Sequence, residues 1–348
     1  MSIFKKILFL LSPIERKRLN FLFILILVMS IVDLIGVGSI LPFVTVLSNP
    51  ETVETNIYLN KIYKTSFLFG VKSIKDFLIF LGITVFFLLI LSIILKSITT
   101  YLQLRFVQMR EFSIGKFLIE SYIRQPYSWF LNHNSTDIGK NILSEVSQIT
   151  SGGLKPLLDL ISKGVLSIAL ITLLILTDLK LAIIISSLIG GAYLLFFILI
   201  RRFIDRLGQD RVKFNQFRFI AVNEAFGGIK DIKIGGLEKF FIKRFSKSAY
   251  NYAHTQAHRQ AIGELPRFIL EAIAFGGILL ILLYMMTVTG NFNQSLPIIS
   301  LYALAGYRLI PALQHVYTSF TQLRFVKPAI DKMYDEIRKL KLIENCQT

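Results

Sequence analysis

The sequence predicts an all-α membrane protein, with six membrane-crossing helices and long cytoplasmic extensions. Composition comes first: 53% of the chain is hydrophobic and only 18% charged, with mean hydropathy +0.61. Several runs exceed the roughly 20 apolar residues that a helix needs to cross a hydrocarbon core. Charge comes second. The net charge of +17 sits between the apolar runs, as juxtamembrane positive bias requires, so no nucleic-acid partner is invoked. The third observation is a pair of corners, marked by glycine or proline, far from any apolar run.

The elements follow in order. Ile3–Leu11 is a short amphipathic stretch with Lys5 and Lys6 on its polar side, followed by the basic knot Glu15–Arg18. It is too short to span, no small-residue cleavage site follows, and residues 1–18 read as an interfacial elbow helix. The first span, about Leu19–Leu47, carries Asp33, and Pro42 should kink its outer end. A carboxylate at that depth faces the bundle or a water-filled cavity, either paired with a basic neighbour or touching substrate. Asn56–Phe69, with its aromatics and lysines, suits a short helix in the outer interface.

The second span, about Phe77–Leu95, continues through Lys96 into a charged helix ending near Arg124. Pro126 breaks it, and Asn134–Asp137 offers capping side chains for the next helix. This is the first corner. The third span runs to about Leu176, with Asp159 and Lys163 one turn apart as a candidate ion pair. Thr177–Lys180 is a tight outer turn before the fourth span, Leu181–Ile200. The fifth is about Phe268–Val288, then a charge-free outer loop at Asn291–Gln294, and the sixth about Leu296–Phe320. The charged helix Arg324–Lys341 ends the chain.

Orientation follows from the basic residues. Arg201–Arg267 holds 14 Lys/Arg against six acids, whereas the third–fourth turn has only Lys180 and the fifth–sixth loop none. Both corners and both termini are therefore expected in the cytoplasm. The lone Cys346 excludes an internal disulfide framework and a cysteine metal site. His254 and His258 stand four apart on one helix, but without an HExxH frame they read as a solvated face and no metal site is expected.

The second corner, Ala225–Phe241, reads AFGGIKDIKIGGLEKFF. Charged helical arms of about 26 to 30 residues flank it, which at roughly 1.5 Å per residue put it about 40 Å from the bilayer. Such a corner either receives a push from an ATP-driven motor or is a plain interhelical turn, since paired glycines suit helix ends with φ > 0 in both cases. Lys96, Arg267 and Arg308 lie at or within apolar spans, where an unpaired cation costs about 3 kcal/mol. They are kept because they pair, snorkel or bind an anion. Glu264 and Glu271 could neutralise Arg267 in place, and guanidinium suits phosphate through its planar fork.

Five stretches resemble the transmembrane domain of type IV ABC exporters, the lipid-flippase kind. SPIERKRLNFLFILILVMSIVDLIGVGSILPFVTVL resembles the elbow and first helix of the subfamily that flips lipid-linked oligosaccharides in bacterial N-glycosylation. QPYSWFLNHNSTDIGKNILSEV resembles the first coupling helix and EAFGGIKDIKIGGLEKFF the second. ELPRFILEAIAFGGI and YALAGYRLIPALQHV resemble the fifth and sixth helices.

The resemblance implies that residues 19–323 form the six-helix domain and 324–348 a linker toward an absent nucleotide-binding domain. Tyr127, Trp129, Phe130 and Gly228, Ile229, Lys230, Asp231, Ile232 would couple to that domain. Arg308, Arg267 and, more loosely, Lys96 match basic positions that hold a lipid pyrophosphate. A homodimer in the bacterial inner membrane is implied, moving a lipid-linked substrate, with ATP and Mg2+ in a missing or separate ATPase. The fourth and fifth helices would cross to the partner copy.

The chain itself carries no Walker A loop. Gly115-Lys116 precedes Phe117, Gly139-Lys140 precedes Asn141, and neither pair has a glycine five residues earlier. Truncation before the ATPase is the expected reason, a separate ATPase chain the other. A non-transporting remnant or scaffold and an exporter of another cargo stay open. A secondary transporter is disfavoured, because inverted repeats with broken spans are absent.

Overall fold

The computed structural model describes residues 3–67, 70–71, 73–177, 179–288 and 292–347, with side chains described in part across 177–189 and 269–305 and not for 341–347. All regular structure among the described residues is helical. Leu68, Phe69, Asp178, Asn291 and Thr348, and the side chain of Cys346, lie outside them.

The elbow is α1 (Ile3–Phe9), and it is docked rather than free. Ile7 is buried, Phe9 meets Tyr334 edge-on at 4.9 Å, and Lys6 Nζ donates to Asp331 at 2.8 Å. Asp331, chiefly through that hydrogen bond, raises Lys6 above the usual lysine range. The next helix, α2 (Pro13–Gly38), starts ahead of the apolar run. Ser12 and Glu15 cap it reciprocally and Pro13 sits in its first turn, so the basic knot is the opening of the membrane helix. Arg110 of α6 (Ile74–Ile123) pairs with Glu15.

Pro42 has the expected effect. It has no N–H for Gly38, α2 ends there, and α3 (Ile40–Ser48) restarts after Ser39. Short α4 (Thr52–Thr55) and α5 (Ile57–Ser66, capped by Asn56) follow. With the start of α6, α3 to α5 close the outer end over Val46, Val53, Leu59 and Phe77.

The segments Pro13–Ser48, Ile74–Ile123 and Ser135–Leu176 are each long and apolar enough to cross a bilayer. The other three crossings belong to α11 (Leu179–Gly227), α13 (Glu238–Val288) and α14 (Phe292–Gln347), whose apolar halves include the partly described side chains. The long helices hold 49 to 56 residues, or about 75 Å at 1.5 Å per residue. A hydrocarbon core takes about 30 Å of that, so each projects at least about 40 Å beyond it.

Outside the bilayer the projecting halves share one core, with Phe106, Leu118, Ile149, Leu158, Ile204 and Phe325 among its buried residues. At Gly208 of α11 a Cβ would stand 2.3 Å from the Phe325 carbonyl, so only glycine permits that approach. Pro266 lies inside α13 and denies Ile262 its helical partner. Tyr317 Oη of α14 donates to the Ile262 carbonyl at 3.3 Å, and Gln314 Nε2 donates to Gly263 O at 2.6 Å. Tyr193 of α11 then donates to Gln314 Oε1 at 3.0 Å, which ties three helices into one knot.

Candidate functional site

Within the apolar half, the polar centre is Asp33 on α2. It is buried, Arg308 of α14 pairs with it, and buried Ser92 of α6 donates to the same oxygen, Oδ1. Three helices that meet in lipid thus satisfy one another's polar groups, as a low-dielectric site demands. Asp33 is the paired helix-packing carboxylate, and Arg308 is its partner.

Arg267 is exposed, and its Nε donates to Glu271 at 2.7 Å. Lys96 is exposed and within electrostatic reach of half-buried Lys163, which also feels Asp159 and Asp33. No ion-pair contact joins Asp159 to Lys163 among the described residues. The three candidate cations therefore have separate neighbourhoods, and no described contact joins Arg308 to Arg267 or Lys96. The rings of His254 and His258 lie 4.1 Å apart on α13, and no third metal-type ligand joins them among the described residues.

At the far end, the first corner is α7 (Tyr127–Leu131), entered through Pro126 and left through α8 (Ser135–Lys140), which Asn134 caps. Trp129 stacks on His133 at 3.7 Å and on Tyr122 at 5.6 Å. Tyr122 donates to Glu336 of α14, which also accepts from Asn141 Nδ2 at 2.8 Å. Tyr127 and Leu131 point outward, 77% and 70% exposed, and Phe130 is also exposed.

The second corner is α12 (Ile229–Gly235), between the ends of α11 and α13. Gly228 has φ −105°, an ordinary value, and of this corner's glycines Gly236 alone takes the left-handed region, at φ +64°. That gives α12 a glycine-dependent stop and leaves the other glycines of the corner without such a need. The Leu237 N–H closes the turn on Ile232 O, and Lys233 meets Glu238 at 3.1 Å. Glu238 sits below the usual carboxylate range, first through its own backbone N–H at the start of α13 and then through Lys233. Ile232 is buried, whereas Gly228 is half-buried and Ile229, Lys230 and Asp231 are exposed. Ile234 is 87% exposed.

Sequence reasoning missed the pairs that brace the projecting helices. Arg211 of α11 is fully buried and donates from Nη1 to Glu145 Oε2 at 2.8 Å, while Asn215 Nδ2 reaches Glu145 Oε1 at 2.9 Å. Their only signal was charge inside otherwise ordinary helical segments, and no spacing rule links positions 66 residues apart. By these contacts α11 packs on its own chain's third crossing and on α14.

Among solved structures, the chain resembles a bacterial Atm1-family ABC exporter with ATP bound, at TM-score 0.64 and 12% identity, over 93% of this chain and 53% of that one. The chain thus spans about half the length of that exporter, and at such identity the likeness speaks for the fold alone. Residues 19–306 match the family model described as the ABC transporter transmembrane region. Long helices that cross the bilayer, project far beyond it and turn at two capped corners are the architecture of that family, and the chain belongs to it.

Proposed function

We propose that this chain is the membrane half of an ATP-driven exporter that moves a lipid-anchored polar headgroup, a lipid-linked oligosaccharide, across a bacterial inner membrane. The carrying observation is the second corner. It stands about 40 Å from the hydrocarbon and presents Ile229 and Ile234 where no lipid can cover them. Apolar side chains at the tip of a lever are suited to a protein partner that pushes.

In this reading two copies form the transporter, both termini are cytoplasmic, and ATP with Mg2+ binds a nucleotide-binding domain that presses on both corners. Nucleotide-domain closure is transmitted through the projecting helices, and the crossings rearrange to open the other way. Arg308 supports an anionic cargo. Its guanidinium is only half-buried, which leaves part of its planar fork open to a phosphate while Asp33 keeps its own contact. Arg267, exposed on α13, supplies a second cation, and Lys96 a third.

The test is ATP-dependent flipping of a fluorescent lipid-linked oligosaccharide in proteoliposomes that also carry the ATPase. Arg308→Ala combined with Arg267→Ala is expected to abolish flipping and leave basal ATP hydrolysis intact. Unchanged flipping by the double variant would remove the anion clamp.

A further inference from the structure

On the projecting side of the molecule, away from the Asp33–Arg308 pair, the helices enclose an open polar pocket of about 430 Å³. Its wall on the third crossing is built by an interrupted helix. Between α8 and α10 (Lys155–Thr177) the chain takes π-helical turns at Asn141–Glu145 and Thr150–Leu154, around the short α9 (Val146–Ile149). Single π turns widen a helix and are found mostly where a protein binds something. Here the π turns present Ser144 and Ser151, and the α9 turn between them Ser147 and Gln148, to the pocket, with Arg259 of α13 and Gln322 of α14 opposite.

The chemistry of this lining is one-sided. Among the described residues it contains one cation, three hydroxyls and side-chain amides, and no acid. Arg259 Nη1 donates to Gln322 Oε1, so the Gln322 amide nitrogen is left to donate elsewhere. That nitrogen and Nε2 of Gln148 converge over Gly152, where a Cβ would come within 2.8 Å and 2.6 Å of them. The acids beside this wall are held by other partners: Glu145 by Arg211 at 2.8 Å and Asn215 at 2.9 Å, and Glu111 by the Thr150 hydroxyl at 3.1 Å. Burial pulls Arg259 below the usual guanidinium range, and only the Tyr252 phenol opposes it. A half-buried cation with no carboxylate on it and a ring of donors has the chemistry to hold an anion.

We propose that this pocket is a second ligand site, for the oxyanion of a phosphorylated compound, held by Arg259 with the amides of Gln148 and Gln322. Its role as the first station of a headgroup rests on the transport reading above; the binding itself does not. A lipid pyrophosphate and a soluble phosphorylated compound present the same group to these donors.

The test uses the full chain in phosphatidylcholine nanodiscs without ATP or ATPase, titrated with inorganic pyrophosphate by calorimetry. Saturable binding is expected, weakened about tenfold or more by Arg259→Gln and a few-fold by Gln148→Leu, as for lost charged and neutral hydrogen bonds. Lys247→Gln, which removes an exposed cation of α13 outside the pocket, is expected to leave it unchanged. Gln148→Leu keeps the charge and the approximate volume, so it decides the matter if Arg259→Gln fails to fold.

A second arm adds polyprenyl pyrophosphate to the nanodiscs. Competition with the free ion in the wild type assigns the site to a lipid headgroup, and none assigns it to a soluble compound. No binding, binding indifferent to both pocket variants, or an equal loss on Lys247→Gln overturns the site. Binding by a chain that transports nothing would keep the site and sink the transport reading. Transport without pyrophosphate binding would do the reverse.

Discussion

At the first corner, α7 is folded back on the body of the molecule. Trp129 stacks between Tyr122 and His133, Tyr122 reaches Glu336, and Thr136 of the following helix accepts from Asn223 of α11. At the second corner, α12 buries only Ile232 and closes its turn with backbone and exposed charges. The two corners are alike in length and in distance from the bilayer, yet one is anchored and the other is a bare tip. An anchored corner transmits force to the helices it is packed on. On the reading proposed above, the bare tip is where something outside the chain docks, and its apolar side chains suit a protein.

The comparison breaks most completely at the joint between the two corners, where Glu145 holds Arg211 and Asn215. Glu145→Ala leaves a fully buried guanidinium unpaired and is expected to cost about 3–5 kcal/mol, read as a lower thermal unfolding midpoint in detergent. A loss under about 1 kcal/mol would mean that the arm of the second corner is not held there. Trp129→Ala comes next. Trp129 is only partly buried, so the loss should fall below the full core value, at about 2 kcal/mol. Equal destabilisation by Ile234→Ala would erase the anchored-versus-bare distinction.

The smallest effect belongs to the elbow. Lys6→Ala removes the bond to Asp331 and should cost about 0.2–1 kcal/mol, as part-exposed pairs do. Asp331 raises Lys6 in the folded state, so the pair's contribution is complete below the unfolded lysine pKa and fades as pH rises through the folded value. A wild-type stability profile that loses this increment on acidification at a pH still above the carboxylate range would contradict the assignment.

Much of this fold was legible in the sequence because its signals are local. Apolar run length marks the crossings, Pro126 and Asn134 mark the first corner, and paired glycines mark the second. Pro42 was readable as a break for the same reason: its missing N–H acts within one turn. Pro266 was not readable, because its effect on Ile262 is absorbed by Tyr317 from another helix. The site divides in the same way. Asp33 and Arg308 stood out singly as charges in apolar spans, but their union crosses 275 residues. The π turns at Asn141–Glu145 and Thr150–Leu154 leave no mark in helical spacing, so the polar pocket beside them was invisible.

The most direct measurement is ATP-driven lipid flipping by Ile229→Asp combined with Ile234→Asp, reconstituted with the ATPase and compared with the wild type. Both side chains are exposed, so the unfolding midpoint should stay within about 0.5 kcal/mol of wild type. The account predicts that flipping is lost while ATP hydrolysis by the ATPase continues uncoupled. Wild-type flipping by this folded variant would contradict the claim that the bare corner is where the motor engages.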